Sequence, residues 1–459
     1  MTDTSIGARA LVTEPDWTAA TAETVAHLQA MLRMNTVNPP GNEIVVARYL
    51  QDVLTRDGID TKLFEPAPGR AAVVARLRGD GSRRPVILMA HMDVVGVEQD
   101  KWSVDPFGGA VKDGYVYGRG AIDDKGMLAA NLEAMLLLKR HLVDRGATLS
   151  RDVVFVANSD EEAGGDWGMG WLVANHPELL EAEFAVNEGG RTRIVGGRPL
   201  YLAVQNTEKV SHVVEMHVKG SGGHASVPLA DNPLWRLGRA LAAIGAHREP
   251  LDIRPTTREF FARLSRVWPD AAECEAMADV VSTEATRQAR GADQLARIPV
   301  LDALLRNGVS AAIVSGGIRS NIIPTEAIAT LNVRTLPGAV LEDVIARLRR
   351  AVDDEQVDFR VVDRGTDAPA SDFESPMFRA IADATHALDP EMAVVPYMST
   401  GATDSARLRQ LGIQAFGILP FPMDQNDEDR MHGHDERVPV ASLAFGTRVI
   451  YGALVRVTA

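Results

Sequence analysis

A chain of 459 residues, 46% apolar and 24% charged, exceeds what one hydrophobic core organises and has the make-up of a globular protein, which excludes the disordered and fibrous classes. Its 48 basic and 62 acidic side chains leave a formal charge of −14, which argues against nucleic acid or an anionic membrane surface as partner. The one cysteine, Cys274, excludes an intramolecular disulfide and any thiolate metal cluster built from one chain, so metals are left with His, Asp and Glu.

The opening MTDTSIGARALVTEPDW carries acids and no long apolar stretch, so it does not read as a secretory signal. No run approaches bilayer-spanning length, and a cytoplasmic enzyme is the expectation. Over residues 21–34, Val25, Leu28, Met31 and Leu32 recur at helical spacing, and Asn38-Pro39-Pro40-Gly41 ends the segment. A second helix fits residues 43–56, stopped by Gly58. Short apolar runs follow: AAVVARL, PVILMAHMD, VVFVANSDEE and FAVNEGG. Three of them end in metal-competent residues, the pattern of buried strands that deliver a site at their carboxyl ends. KGMLAANLEAMLLLKR, residues 125–140, is strongly helical, so strands and helices alternate as in an α/β domain.

After about Gly190 the character changes. Residues 207–364 read as strand (HVVEMHVKG), helix (NPLWRLGRALAAIG), a polar helical stretch to about Arg306, strands (AAIVSGG, AIATLNVR), helix (VLEDVIARLRRAVD) and strand (VDFRVV). None of the metal-competent motifs falls inside that block, which reads as an inserted second domain; residues 1–206 and 365–459 make the first. VVPY, IQAFGIL and a closing helix over 440–455 complete it.

Singly, a His or Glu after a strand is most often a surface or capping residue; the combination carries the argument. In His91-Met92-Asp93 an extended backbone points residues two apart to one side, so the Asp can orient a ligating imidazole. GRGAIDDKG sets Asp123 and Asp124 where acids also cap helices, and Asp123 occupies the last glycine position of a dinucleotide-binding loop, which rejects that loop. In Ser159-Asp160-Glu161-Glu162 adjacent carboxylates repel unless a cation or proton compensates, and one could bind a metal beside a neighbouring general base. Glu188 offers another hard oxygen, and MHGHDE offers His432 and His434; neither lies in an HExxH helix. Asp123, Glu162 and Glu188 carry three negative charges against the four of two divalent ions, so one more anion would neutralise a metal pair; zinc suits the donors, and cobalt or manganese would also fit.

In order, HMD, GRGAIDDKG, EE, NEGG, SGGHASVP, SNIIP, STGATDS and MHGHDE resemble the co-catalytic zinc peptidases that include aminoacylase, acetylornithine deacetylase, succinyl-diaminopimelate desuccinylase, carboxypeptidase G and the Gly-X carboxypeptidases. The resemblance runs from Asn38-Pro39-Pro40 to the final helix and is nearest the Gly-X carboxypeptidase and dipeptidase branch. It implies an α/β fold, a mixed-sheet α/β/α metallopeptidase domain with an inserted α+β lid and dimerisation domain. It implies two Zn2+ per subunit, one on His91, Asp123 and Glu188 and one on Asp123, Glu162 and His432, with Asp123 bridging. His432 is preferred to His434 because the family's ligand stands four residues before a Glu, here Glu436. Asp93 would orient His91, and Glu161 would be the general base. His224 would reach the partner subunit's site in a homodimer and steady the oxyanion, while Asn321, Arg334 and the Gly401 loop would contact substrate.

The reaction so implied is hydrolysis of an amide next to a free carboxylate, in a dipeptide, short peptide or N-acyl amino acid, by two metals roughly 4 Å apart. A biosynthetic N-deacylase is the alternative, with a two-metal phosphoesterase and a non-catalytic metal-bound scaffold as remoter ones.

Overall fold

The computed structural model describes residues 14–459; residues 1–13, most of the N-terminal stretch read above, lie outside the described residues. α1 (Trp17–Leu32) starts at Asp16, whose carboxylate accepts from Thr18 N and Ala19 N as an N-cap. α2 (Ile44–Arg56) buries Val46, Leu50 and Leu54 along one stripe. A hairpin of β1 (Asp60–Ala67) and β2 (Arg70–Leu77) precedes β3 (Val86–His91). Short strands β4 (Ala110–Lys112) and β5 (Tyr115–Tyr117) lead to α3 (Lys125–His141). Its residues Lys125 to Leu138 are all buried, as the apolar KGMLAANLEAMLLL demands of a helix packed on several sides. β6 (Val153–Asn158), α4 (Met169–Asn175), β7 (Phe184–Asn187), β8 (Arg191–Val195) and β9 (Arg198–Glu208) follow.

Late in the chain, β16 (Ala393–Ser399) and β17 (Gln414–Gly417) join the same sheet, whose order is β1-β2-β6-β3-β7-β17-β9-β16 with β8 beside β9. β6, β3, β7 and β17 run parallel, with His91 level with Asn158 in register. Four carboxyl ends therefore open on one edge of the sheet, those of β3, β6 and β7 carrying or leading to His91, Glu161 and Glu188. One face carries the main core around α3; the other packs Ile87, Met89, Val154 and Val156 against Leu172 and Leu408. The arrangement is the expected mixed-sheet α/β/α sandwich.

A second, wholly antiparallel sheet has the order β12-β14-β10-β15, from β10 (Val210–Lys219), β12 (Gly308–Gly316), β14 (Glu326–Thr335) and β15 (Val357–Arg364). Helices Pro233–Ala246 and Leu341–Val352 cover one face through Leu237, Ile244, Val344 and Leu348. β11 (Gly223–His224) and β13 (Ile322–Ile323) pair as a separate ribbon.

Several details differ from the sequence reading. β1, β8 and β9 lie where it has no strand: β1 is an edge strand containing Pro66, β8 is charged, and the apolar run of β9 is broken by Gln205 and Asn206. The helical stretch within the block 207–364 does not pack on the small sheet. Phe260, Phe261, Met277 and Leu295 instead bury against Ala203, Val395 and Tyr397 of β9 and β16. The helix Val440–Thr458 is long and apolar enough to cross a bilayer, which corrects the expectation that no run approaches that length. Leu443, Val449, Ile450 and Leu454 spend its apolar side in the main core.

Candidate metal centre

The parallel strand ends set the donors. β3 ends on His91, 2% exposed, and its Nδ1 lies 3.0 Å from the Asp93 carbonyl and 3.4 Å from Asp93 Oδ1. Its Nε2 lies 2.9 Å from Asp123 Oδ1, so the Asp93 side orients the ring toward Asp123. Past β6 the chain turns through Asp160, which holds the left-handed φ of 72° that few side chains adopt. That turn brings Glu161 and Glu162 back over the sheet edge. Glu188 follows β7 directly. His432, also left-handed at φ 59°, comes from the far C-terminal loop, with Nε2 3.1 Å from Asp123 Oδ2 and 3.2 Å from Glu162 Oε1. His434 turns away, its Nε2 3.5 Å from Glu98.

Ligating atoms of His91, Glu161 and Glu188 lie within 4.8 Å of one another, as do those of His91, Asp123 and Glu162. His91 is thus common to both triplets, whereas the resemblance makes Asp123 the shared residue; Asp123 nevertheless touches both imidazoles. Burial first, then the charge of neighbouring Glu188, pushes Glu161 well above the usual carboxylate range; burial and then Asp123 do the same to Glu188. Burial opposes charge on Asp123, yet hydrogen bonds from His432 and His91 outweigh it and depress its pKa. His432 is raised to about 10, chiefly by its hydrogen bond to Asp123. Four carboxylates crowded round two imidazoles are short of positive charge, and this donor set fits divalent metal ions of the zinc type.

The residues that hold these donors were not all singled out by the sequence. Glu436, fully buried, accepts from Gly120 N (3.0 Å), Ile122 N (2.8 Å) and Asp123 N (3.1 Å) and pairs with Arg119 at 2.6 Å. One carboxylate thereby ties the Asp123 loop to the His432 loop. A Cβ on Gly126 would sit 2.3 Å from the Ala121 carbonyl, so only glycine lets α3 start this close to the loop. Asp124 makes no helix-capping bond; its Oδ2 accepts from His91 N at 3.2 Å. Asp93 accepts from Glu161 N and Glu162 N (3.1 Å each) and from Asn38 Nδ2 (2.8 Å). Arg70 donates to Asn38 and pairs with Glu43 and Asp160. In the sequence Asn38 reads as a helix terminator and Arg70 as a cation just before the AAVVARL run; the burial that gives Arg70 its role is seen only in the structure.

A cavity of about 500 Å³ opens beside the centre, lined by Glu161, Glu162, Arg334, Asp404 and residues of the loop after Gly401. Arg334 Nε donates to Asn332 Oδ1 at 2.9 Å, while its buried Nη1 has no partner. Gly401 is exposed, its N donating to Ser399 Oγ; Ala402 and Thr403 next to it line the cavity. Burial pushes Asp404 up to about 6 despite its bond from Asn158. His224 and Asn321 do not join the centre: both are exposed, His224 on β11 and Asn321 just before β13, and neither lines this cavity.

Residues 87–456 match the family described as Peptidase family M20/M25/M40. The chain belongs to that family. Among curated relatives, the probable carboxypeptidase S-like 2 of Dictyostelium discoideum is 29% identical over 79% of this chain and 69% of its own length. The human N-fatty-acyl-amino acid synthase/hydrolase PM20D1 is 26% identical over 81% and 74%, and mouse aminoacylase-1 26% over 92% of both. The M20 family metallo-carboxypeptidase Sso-CP2 from Sulfolobus solfataricus superposes with a TM-score of 0.72 at 20% identity, covering 94% of this chain and 98% of that one. Human carnosine dipeptidase 1 gives 0.67 at 16%, covering 96% and 97%. Membership of the M20 family makes the chain a metal-dependent hydrolase of amide bonds.

Proposed function

We propose that this M20 enzyme hydrolyses an amide bond in a short peptide or N-acyl amino acid that bears a free carboxylate, at a centre of two divalent ions, zinc by donor chemistry, held by His91, Asp123, Glu162, Glu188 and His432. The names of the relatives, a carboxypeptidase, a dipeptidase and acyl-amino acid hydrolases, support that substrate range. The observation that carries it is the convergence of those five side chains and Glu161 on one strand edge, facing an Arg334 with a free buried N–H.

Bound there, a metal pair supplies Lewis acidity and makes water a better nucleophile at neutral pH. Asp93 holds the His91 tautomer, leaving Nε2 free to ligate. Glu161 takes the proton of the attacking water and returns it to the departing amine nitrogen. Arg334 aligns substrate through its carboxylate, using the geometry a guanidinium fork offers. In a homodimer His224 of the partner subunit closes over the oxyanion, a donor worth roughly 3–4 kcal/mol. Of the two outer strands of the small sheet, β12 leaves Ile313 and Val314 61% and 58% exposed, and its edge is the proposed seat of the second copy. An intracellular setting is part of the same reading.

The test is Glu161→Ala: turnover falls at least about 100-fold while metal content stays at the wild-type level. Full activity in the variant removes Glu161 from the reaction.

A further inference from the structure

A second polar cluster lies in the main core, between α1 and α3. Glu23 and His27, one turn apart on α1, face Glu133 on α3, and ligating atoms from all three lie within 4.8 Å of one another. Glu133 is 0% exposed, and neither of its carboxylate oxygens has a hydrogen-bond partner. His27 is 8% exposed and its Nε2 is equally without one. The other ring nitrogen is engaged: Nδ1 lies 2.6 Å from the Tyr49 hydroxyl. With Nδ1–H donating to Tyr49, the Nε2 lone pair is presented to the two carboxylates, as an outer partner fixes the tautomer of ligating histidines.

A buried carboxylate with neither donor nor counter-ion is among the costliest groups a core can hold. Burial, then the charge of Glu23, pushes Glu133 up to about 8, so the pocket disfavours the bare anion. Arg140 offsets this only through space, as a charge that favours the Glu133 anion without outweighing burial. Its hydrogen bonds all go to Glu23 and Asp57, and it donates nothing to Glu133. With Glu133 ionised, Glu23, Asp57 and Glu133 against Arg140 leave two negative charges, which one divalent ion taking the place of the Glu133 proton neutralises. One imidazole nitrogen and two carboxylate oxygens suit zinc with a fourth position open to water, and are a poor match for magnesium or calcium, which take oxygen ligands in greater number. The Glu23 side chain is 38% exposed, which gives an ion a way in.

We propose that Glu23, His27 and Glu133 form a structural site for one transition-metal ion, zinc by its donor set, that ties α1 to α3. The site shares no residue with the His91–Asp123 centre. Glu133 stands eight residues into α3, roughly 12 Å along it by helix rise.

Full-length protein loaded with stoichiometric zinc is crystallised and mapped by anomalous scattering at the zinc edge, and bound zinc is counted in wild type, Glu133→Gln and His27→Gln. The expected result is a peak between α1 and α3 bonded to His27 Nε2, and one zinc fewer per chain in each variant than in wild type. No peak there, a peak only after soaking in excess zinc, or an undiminished count in a folded variant overturns the proposal. The wild-type map decides even where a variant fails to fold, and peaks at the His91 cluster report on the catalytic reading separately.

Discussion

Arg334 carries the most specific demand at the scale of single residues. Its Nη1 is buried without a partner while Nε is held by Asn332, so one edge of the guanidinium is positioned and the other is unsatisfied. A lysine keeps the charge and loses the fork. Arg334→Lys is expected to weaken kcat/KM for substrates with a free carboxylate about 10- to 100-fold, the loss of one charge-assisted bond, and to change little for the corresponding amides. Equal losses for both substrate types would contradict carboxylate recognition. Most donors are legible because they follow a buried strand or open a helix: His91, Glu161 and Glu188 can be picked from the apolar runs before them, whereas His432, in a C-terminal loop, rests on the family resemblance. Asn38, Arg70 and Glu436 cannot be picked so. Their partners stand as many as 317 residues away, as Arg119 does from Glu436, and nothing local in a sequence reports a bond of that span.

Among the elements, two loops from opposite ends of the chain depend on each other. The loop before α3 supplies Asp123, and the loop after Gln425–Glu428 supplies His432; Glu436 joins them through three backbone N–H groups and Arg119. Glu436→Gln turns an amide N–H2 toward groups that are already donors. Metal affinity, read by competition with a chelator, should fall about 10- to 100-fold, the range seen when groups behind metal ligands are removed. Unchanged affinity would show that the loops hold themselves. The elements that sequence periodicity missed, β8 and β9, are a charged strand and one interrupted by amides, and it is tertiary pairing that makes them strands. The helices that pack on β9 and β16 lie between β10 and β12 in the chain, so order along the sequence alone puts them in the inserted block.

At the scale of the whole molecule, the residues proposed for the site fall on two surfaces. The metal centre and Arg334 share one cavity, whereas His224 is exposed on β11 and Asn321 is exposed just before β13; the homodimer we propose would bring His224 to a partner's centre. Mixing His224→Ala with Glu161→Ala subunits should restore part of the activity that each lacks alone, since a hybrid dimer holds one intact combination. No recovery despite demonstrated subunit exchange would confine the reaction to one chain. The central claim is amide hydrolysis by a metal pair, and its most direct test is a panel of dipeptides and N-acyl amino acids offered to chelator-stripped protein as zinc is titrated back. The account predicts no turnover in the stripped enzyme and full turnover only once both positions of the His91–Asp123 centre are filled. Hydrolysis that survives stripping, or zinc-loaded protein that cleaves no member of the panel, would contradict it.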